Sequence, residues 1–320
     1  MFSRTFFFLV PLAVILAILA FSAVAKEKKP AASFREQIEK NNVDELAAPD
    51  IPDPEATPER PQQNLKTKPA PAEHAMEPYG RPTLRHVLAP SSPLEKGKET
   101  SFTLSLKDKG GQPVTLDGLV ERHTQKIHLL VVDESLTDYH HIHPVAGKEP
   151  GTYTFSFTPL TGYSYMLYVD VKPVDGTPQM LPVLVAGVEK CNETCVDKAV
   201  VDKAVFGGNK ASLSFASKTL HAGKPARGEL FLTTGDDSTP LKNLEPVMGA
   251  YGHIVGFYEG FGAVAHIHPL GKEPEQDTDR GASPLSFMLH PESPGFMKVF
   301  VQLRVDGKDV FLPFSIFIDP

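Results

Sequence analysis

Residues 139–144 read YHHIHP and residues 264–269 read VAHIHP, so one His-Ile-His-Pro string occurs twice, 125 residues apart. The surroundings repeat with it. Gly97-Lys98 matches Gly223-Lys224, Leu104 and Leu106 match Leu230 and Leu232, and Leu119 matches Leu244. His128 precedes His143 by fifteen residues, and His253 precedes His268 by the same fifteen. Each string is followed by Gly-Lys-Glu-Pro, at 147–150 and 271–274. Ser156-Phe157 and Asp175-Gly176 recur as Ser286-Phe287 and Asp306-Gly307. Offsets held over this span mean a duplicated structural unit.

The unit itself is β. Short runs of alternating apolar residues, such as TSFTLSL (100–106), KIHLLVV (126–132), TYTFSF (152–157) and YMLYVDV (165–171), are separated by Gly, Pro and Asp turn signals. Period-two patterning of this kind predicts antiparallel strands. RGELFL (227–232), HIVGFY (253–258), PLSFML (284–289) and MKVFVQLRV (297–305) continue it in the second half. Each unit spans about 105 residues with roughly seven strands, which fits an immunoglobulin-like sandwich. The expected fold is therefore all-β, with two tandem immunoglobulin-like β-sandwich domains at 83–187 and 209–320. A connector at 188–208 joins them and holds Cys191 and Cys195.

Ahead of the repeats lie two other kinds of sequence. Arg4, the apolar run Phe6 to Phe21 and the small-residue pattern Ala23-Val24-Ala25 form an export signal over 1–25. The run is long enough that an uncleaved membrane anchor is the alternative. Either way the body is exported, to the periplasm or the exterior. Residues 26–82 are rich in proline and charge and poor in apolar residues, which predicts a disordered Pro-rich linker. In an oxidising compartment the C-x3-C pair reads as a local disulfide, with a thiolate metal site as the sharper alternative. A net charge of -7 excludes a nucleic-acid binder that relies on a basic face.

The histidines carry the functional argument. With a turn at ESLTD (134–138), cross-strand partners have numbers summing to 271, which sets His128 opposite His143 and Leu130 opposite His141. Side chains alternate along a strand, so His128, His141 and His143 share one face. Leu129, Val131 and Ile142 take the other. His253, His266 and His268 repeat the pattern, so each unit has its own expected site. Three converging imidazoles suit copper, zinc or nickel. His123 and Met248, each five residues before the first histidine, are candidate fourth ligands, though an odd offset points them to the opposite face unless a bulge intervenes. Glu134 and Glu259 either orient a ring or are solvated turn residues. His140 has Ala265 as its counterpart and is expected to be exposed.

The pattern H-L-x-V-V-x-E-x-L-x-x-Y-x-H-x-H-P from His128 to Pro144 resembles uncharacterised secreted bacterial proteins with paired sandwich repeats. So does G-H-x-V-x7-A-x-x-H-x-H-P from Gly252 to Pro269. Such domains are similar to the YtkA-like and CopC-like immunoglobulin-type domains of the cell envelope. The resemblance implies an envelope protein of sandwich fold with copper or another heavy metal as ligand.

Three functions follow as expectations. The first is an exported envelope protein that binds copper or zinc through duplicated three-histidine sites, for sequestration or delivery. The second is a non-catalytic adhesion or assembly scaffold that meets an envelope protein partner, its histidines structural. The third, a metalloenzyme, ranks last. The sequence has no Gly-rich phosphate loop, no G-x-S-x-G and no H-E-x-x-H, so no enzyme is expected. A membrane is a partner only if the leader stays uncleaved.

Overall fold

The computed structural model describes residues 77–235, 238–267 and 269–320, and of His266 the backbone alone. The expected leader (1–25) and residues 26–76 of the expected linker lie outside the described residues. Residues 77–82 were assigned to the linker, yet they are fastened to the first repeat. The Gly80 N–H donates to the Pro178 carbonyl at 2.8 Å, and the Tyr79 hydroxyl donates to Asp170 Oδ2 at 2.7 Å. Composition missed this because one aromatic with a polar tip is enough to dock a polar segment. Among the described residues no helix is long and apolar enough to cross a membrane.

The first repeat has eight strands: β1 (Arg85–Pro90), β2 (Thr100–Lys107), β3 (Ile127–Asp133), β4 (Tyr139–Ile142), β5 (Val145–Ala146), β6 (Thr152–Phe157), β7 (Tyr165–Val171) and β8 (Gln179–Val185). They form two sheets, ordered β1-β2-β6-β5 and β4-β3-β7-β8. The second repeat begins with β9 (Lys203–Phe206), inside the stretch expected to be connector, because this segment pairs antiparallel with β10 (Asn209–Phe215). It continues through β11 (Leu220–His221), β12 (Ala226–Thr233), β13 (Leu244–Glu245), β14 (His253–Tyr258), β15 (Val264–Ile267), β16 (Leu285–Leu289), β17 (Gly295–Val305) and β18 (Lys308–Asp319). Its sheets run β16-β12-β10-β9 and β11-β18-β17-β14-β15. Each repeat is thus the expected sandwich. Cys191 and Cys195 are joined in a disulfide in the connector.

Alternation decides which side chains fill each core. In β2, Phe102, Leu104 and Leu106 point inward and their neighbours outward. They meet Leu129, Val131, Leu167 and Val169 from the facing sheet. The second core is built alike from Leu230, Leu232, Ile254, Val299 and Val301. Proline stands where a ladder can spare an N–H: Pro182 lies on the edge strand β8.

β3 and β14 break the half-wet pattern, for every residue of both strands is buried. One face of each enters its own core. The other faces the neighbouring repeat. Leu130, Val132, Leu136 and Tyr168 of the first repeat pack with Val255, Phe257, Phe296 and Phe300 of the second. Tyr139 stacks on Phe300 with ring centroids 4.8 Å apart, and the Tyr168 hydroxyl donates to the Phe261 carbonyl at 3.2 Å. The two repeats are therefore joined sheet to sheet through the very faces that carry the histidines.

This packing separates two adjacent leucines from an exposed control. Leu129→Ala opens the first core and Leu130→Ala opens the junction, so each is expected to cost about 2–5 kcal/mol. Val145→Ala, at a residue 66% exposed, is expected to stay within about 0.5 kcal/mol. Urea unfolding of the three variants measures this; a neutral Leu130→Ala contradicts a dry junction.

Candidate metal centre

The hairpin that aims the histidines is held by a buried carboxylate. Asp133 Oδ1 accepts the N–H groups of Thr137 and Asp138, both at 2.9 Å. Its Oδ2 accepts the Ser135 hydroxyl and, at 3.1 Å, that of Thr161. The turn falls at ESLTD as expected, and Leu136 takes a positive φ of 58° within it. With the turn fixed, the ladder pairs Leu129 with Ile142 and Leu130 with His141. A slip of one residue would turn the histidines into the sandwich core. In the second repeat Ile254 pairs with Ile267 and Val255 with His266, the same register.

A second tight turn supports the site from the other side. His123 and Thr124 have φ of 48° and 64°, and Arg122 and Gln125 exchange backbone hydrogen bonds of 2.8 and 3.0 Å across them. Two positive φ values in a two-residue loop mark the I′ geometry. Met248 and Gly249 recur there with φ of 52° and 77°. The turn in the first repeat presents the Arg122 carbonyl to His128 Nε2 at 2.9 Å.

His128, His141 and His143 each offer a ring nitrogen, and the three nitrogens lie within 4.8 Å of one another. His128 Nδ1 is the hub, 3.1 Å from His141 Nε2 and 3.2 Å from His143 Nε2. The protonation pattern follows from the outer partners. A carbonyl only accepts, so a neutral His128 has its proton on Nε2 and its lone pair on Nδ1. His141 Nδ1 lies 3.1 Å from Gln302 Oε1. With that oxygen accepting, a neutral His141 has its proton on Nδ1 and its lone pair on Nε2. Two lone pairs then face each other across 3.1 Å, and the third nitrogen approaches the same hub. Only His143 is left to offer an N–H to that hub, whereas one cation can take a lone pair from all three nitrogens.

The two hub spacings come close to those that such a cation imposes. Nitrogens bound tetrahedrally at about 2.0–2.1 Å from zinc stand about 3.3–3.4 Å apart. The two hub distances fall just short of that. His143 is also ready to ligate. Burial pushes the His143 imidazole down to about 4, and the neighbouring His128 pushes the same way, so His143 is neutral at physiological pH. His128 is 2% exposed.

The expected site residues are distributed as follows. The structure brings His128, His141 and His143 together. The buried His253 lies beside that cluster: its ring is 5.9 Å from that of His141 and 5.4 Å from that of His123. Face-to-face packing of β3 and β14 brings the second repeat's first histidine against the first repeat's triad. His266 lies on β15, but its side chain is outside the described residues, as is His268. His123 is not on the far face, since the positive-φ turn swings its ring to between His128 and His253. His140 is not a free surface side chain: Nε2 lies 3.0 Å from Asp138 Oδ1 and its ring packs 4.9 Å from Phe157. Burial raises the Asp138 carboxyl, yet hydrogen bonds from His140, the Leu160 N–H and Tyr165 leave it below its ordinary value. Glu259 pairs with Lys198 at 2.8 Å.

Two functional neighbours escaped sequence reasoning. Gln302 is one. Asp170 is the other, 2% exposed and opposite His128 in the β3–β7 ladder. It accepts Tyr79 at 2.7 Å and the Arg122 guanidinium at 3.2 Å. Gln302 stands opposite His253 in the β14–β17 ladder, so the two are equivalents. Each is a polar residue inside an apolar strand, YMLYVDV and MKVFVQLRV, and that interruption was the available signal.

A family model described as Domain of unknown function (DUF8832) matches twice, over residues 84–189 and 203–319. Comparison with curated proteins finds no match. Among solved structures the chain is similar to the adhesin InvE of Yersinia pseudotuberculosis, with 12% identity, 73% of this chain and 58% of that chain covered, and a TM-score of 0.22. It is similar to domains 4 and 5 of the S-layer protein SbsC, with 12% identity, 74% and 98% covered, and a TM-score of 0.20. A segment of two fibronectin type-III domains from chicken tenascin gives 11% identity, 73% and 98% covered, and a TM-score of 0.20. The chain spans less than two thirds of the InvE chain it matches. The resemblance to YtkA-like and CopC-like domains gains no support from these matches. The two matched segments take up most of the sequence, and the chain belongs to the DUF8832 family, with two copies of its domain in tandem.

Proposed function

We propose that this protein binds a transition-metal ion, copper or zinc, through His128, His141 and His143, as a non-catalytic exported envelope protein that sequesters or delivers the ion. The observation that carries the reading is the hub: two imidazole nitrogens at 3.1 and 3.2 Å from His128 Nδ1, with the Arg122 carbonyl on the other nitrogen of that ring. Imidazoles on a fixed hairpin are preorganised ligands for either metal. The recurrence of His253, His266 and His268 at the same offsets extends the reading to the second repeat. Export rests on the leader sequence. The non-catalytic part is supported by the nearby carboxylate, since Asp170 is engaged by Arg122 and Tyr79 and is not poised as an acid or base. The motif's likeness to copper-resistance domains favours copper within this reading.

An adhesion or assembly scaffold is the second reading. It is favoured by the place of the histidines at the junction of the repeats, where His141 bonds to Gln302 across the interface. Histidines that only staple two domains need no ion.

Metal analysis of tag-free protein separates the two. The metal reading predicts bound zinc or copper in the wild type. It predicts that His141→Ala/His143→Ala weakens binding by more than the roughly 10–100-fold that loss of an outer partner costs. A wild type that takes up neither ion leaves the scaffold. The pH dependence of the metal-free chain is a further outcome. His143 titrates at about 4 when folded and near 6.5 when unfolded, so between those values the unfolded chain binds the extra proton. Its contribution is level above about pH 6.5 and erodes as pH falls toward 4. Urea unfolding at pH 7.5 and pH 5 is expected to show that slope, reduced in His143→Gln.

A further inference from the structure

The metal ligand His141 belongs to the first repeat, but the group that orients it belongs to the second. We propose that Gln302 is the positioning residue for His141, and that ion binding and docking of the two repeats are thereby coupled. The proposal rests on the metal reading and adds what controls that site.

Gln302 is 6% exposed, in a strand whose neighbours Phe300, Val301 and Leu303 are all buried and apolar. A buried amide in such a strand is costly unless its hydrogen bonds are made. Its Oε1 meets His141 Nδ1 at 3.1 Å, while His141 Nε2 points at the His128 hub, also at 3.1 Å. One imidazole therefore reaches into both repeats. Outer acceptors of this kind fix the tautomer and the ring plane of a metal-bound histidine, and their loss typically costs 10–100-fold in affinity.

The same two strands hold the junction together. Tyr139 stands two residues before His141, and Phe300 stands two residues before Gln302. Their rings stack at 4.8 Å with an interplanar angle of 25°. Tyr139 also lies 5.3 Å from Phe257. Next to the histidine pair, His253 of the second repeat closes on His141 and on the His123 turn. If the repeats part, His141 loses its orienting oxygen. If an ion fixes His141, the ring holds Gln302 and the stacked aromatics in place. Such coupling is reciprocal: whatever factor docking contributes to ion affinity, the ion contributes to docking.

The test uses the full chain and zinc, titrated against a chelator of known affinity, in wild type, Gln302→Leu, Gln302→Glu and Phe300→Ala. Gln302→Leu removes the acceptor and is expected to weaken zinc binding about 10–100-fold. Gln302→Glu keeps an oxygen on His141 and is expected to bind at least as tightly as wild type, a rescue that a purely structural role would not give. Phe300→Ala touches no ligand and is expected to weaken binding through the junction alone. Hydrogen exchange of the wild type is expected to show Tyr139–Ile142 and 300–303 better protected with zinc than without. Unchanged affinity in Gln302→Leu beside a wild type that binds overturns the coupling and spares the metal reading. A wild type that does not bind overturns both. If Gln302→Leu fails to fold, Gln302→Glu and Phe300→Ala decide: an affinity loss in the Glu variant, or none in the Ala variant, overturns the coupling.

Discussion

Everything distinctive about this molecule depends on the burial of the second face of strands β3 and β14. A sandwich sheet ordinarily buries one face and wets the other. Here the outer faces of two equivalent sheets cover each other with Leu130, Val132, Tyr168, Val255, Phe257 and Phe300. Apolar burial drives that contact. Its consequence is chemical, for the histidines on the same faces leave water together. An imidazole on an exposed hairpin is a weak and undirected ligand. In this junction, burial depresses His143 to about 4, a carbonyl dictates the tautomer of His128, and a glutamine from the opposite repeat meets His141.

Duplication explains how one chain builds such a place. Two copies of a unit that present the same face can pack against each other, each supplying equivalent positions. The copies have since diverged at the points that matter. His123 and Met248 occupy equivalent turns, and Asp170 and Gln302 equivalent strand positions. In the first repeat a carboxylate takes a tyrosine and an arginine; in the second an amide takes a histidine from across the junction. The junction is therefore not two identical half-sites.

The repeat, the strands and the hairpin register were legible in the sequence because period-two alternation and fixed offsets are local signals. The ladder pairing Leu130 with His141 could be computed from the ESLTD turn alone. Strands β1, β9 and β10 were not picked out, since RHVLAP, KAVF and NKASLSF alternate over too few large apolar residues. The junction itself was illegible. KIHLLVV reads the same whether Leu130 meets solvent or Phe257, because nothing local says what covers a face. The side taken by His123 was open for a related reason, since an odd offset implies the opposite face only while the backbone stays extended. Two consecutive positive φ values break that rule. Gln302 and Asp170 were visible only as polar interruptions, with no hint of their partners.

The central claim is that three ring nitrogens of the first repeat converge on one cation. Anomalous diffraction from crystals of the zinc- or copper-loaded chain, recorded at the metal's absorption edge, tests it most directly. The account predicts a strong peak about 2.0–2.1 Å from His128 Nδ1, His141 Nε2 and His143 Nε2. A loaded crystal with no density among those atoms, or with the ion held only on surface histidines such as His86, would contradict it.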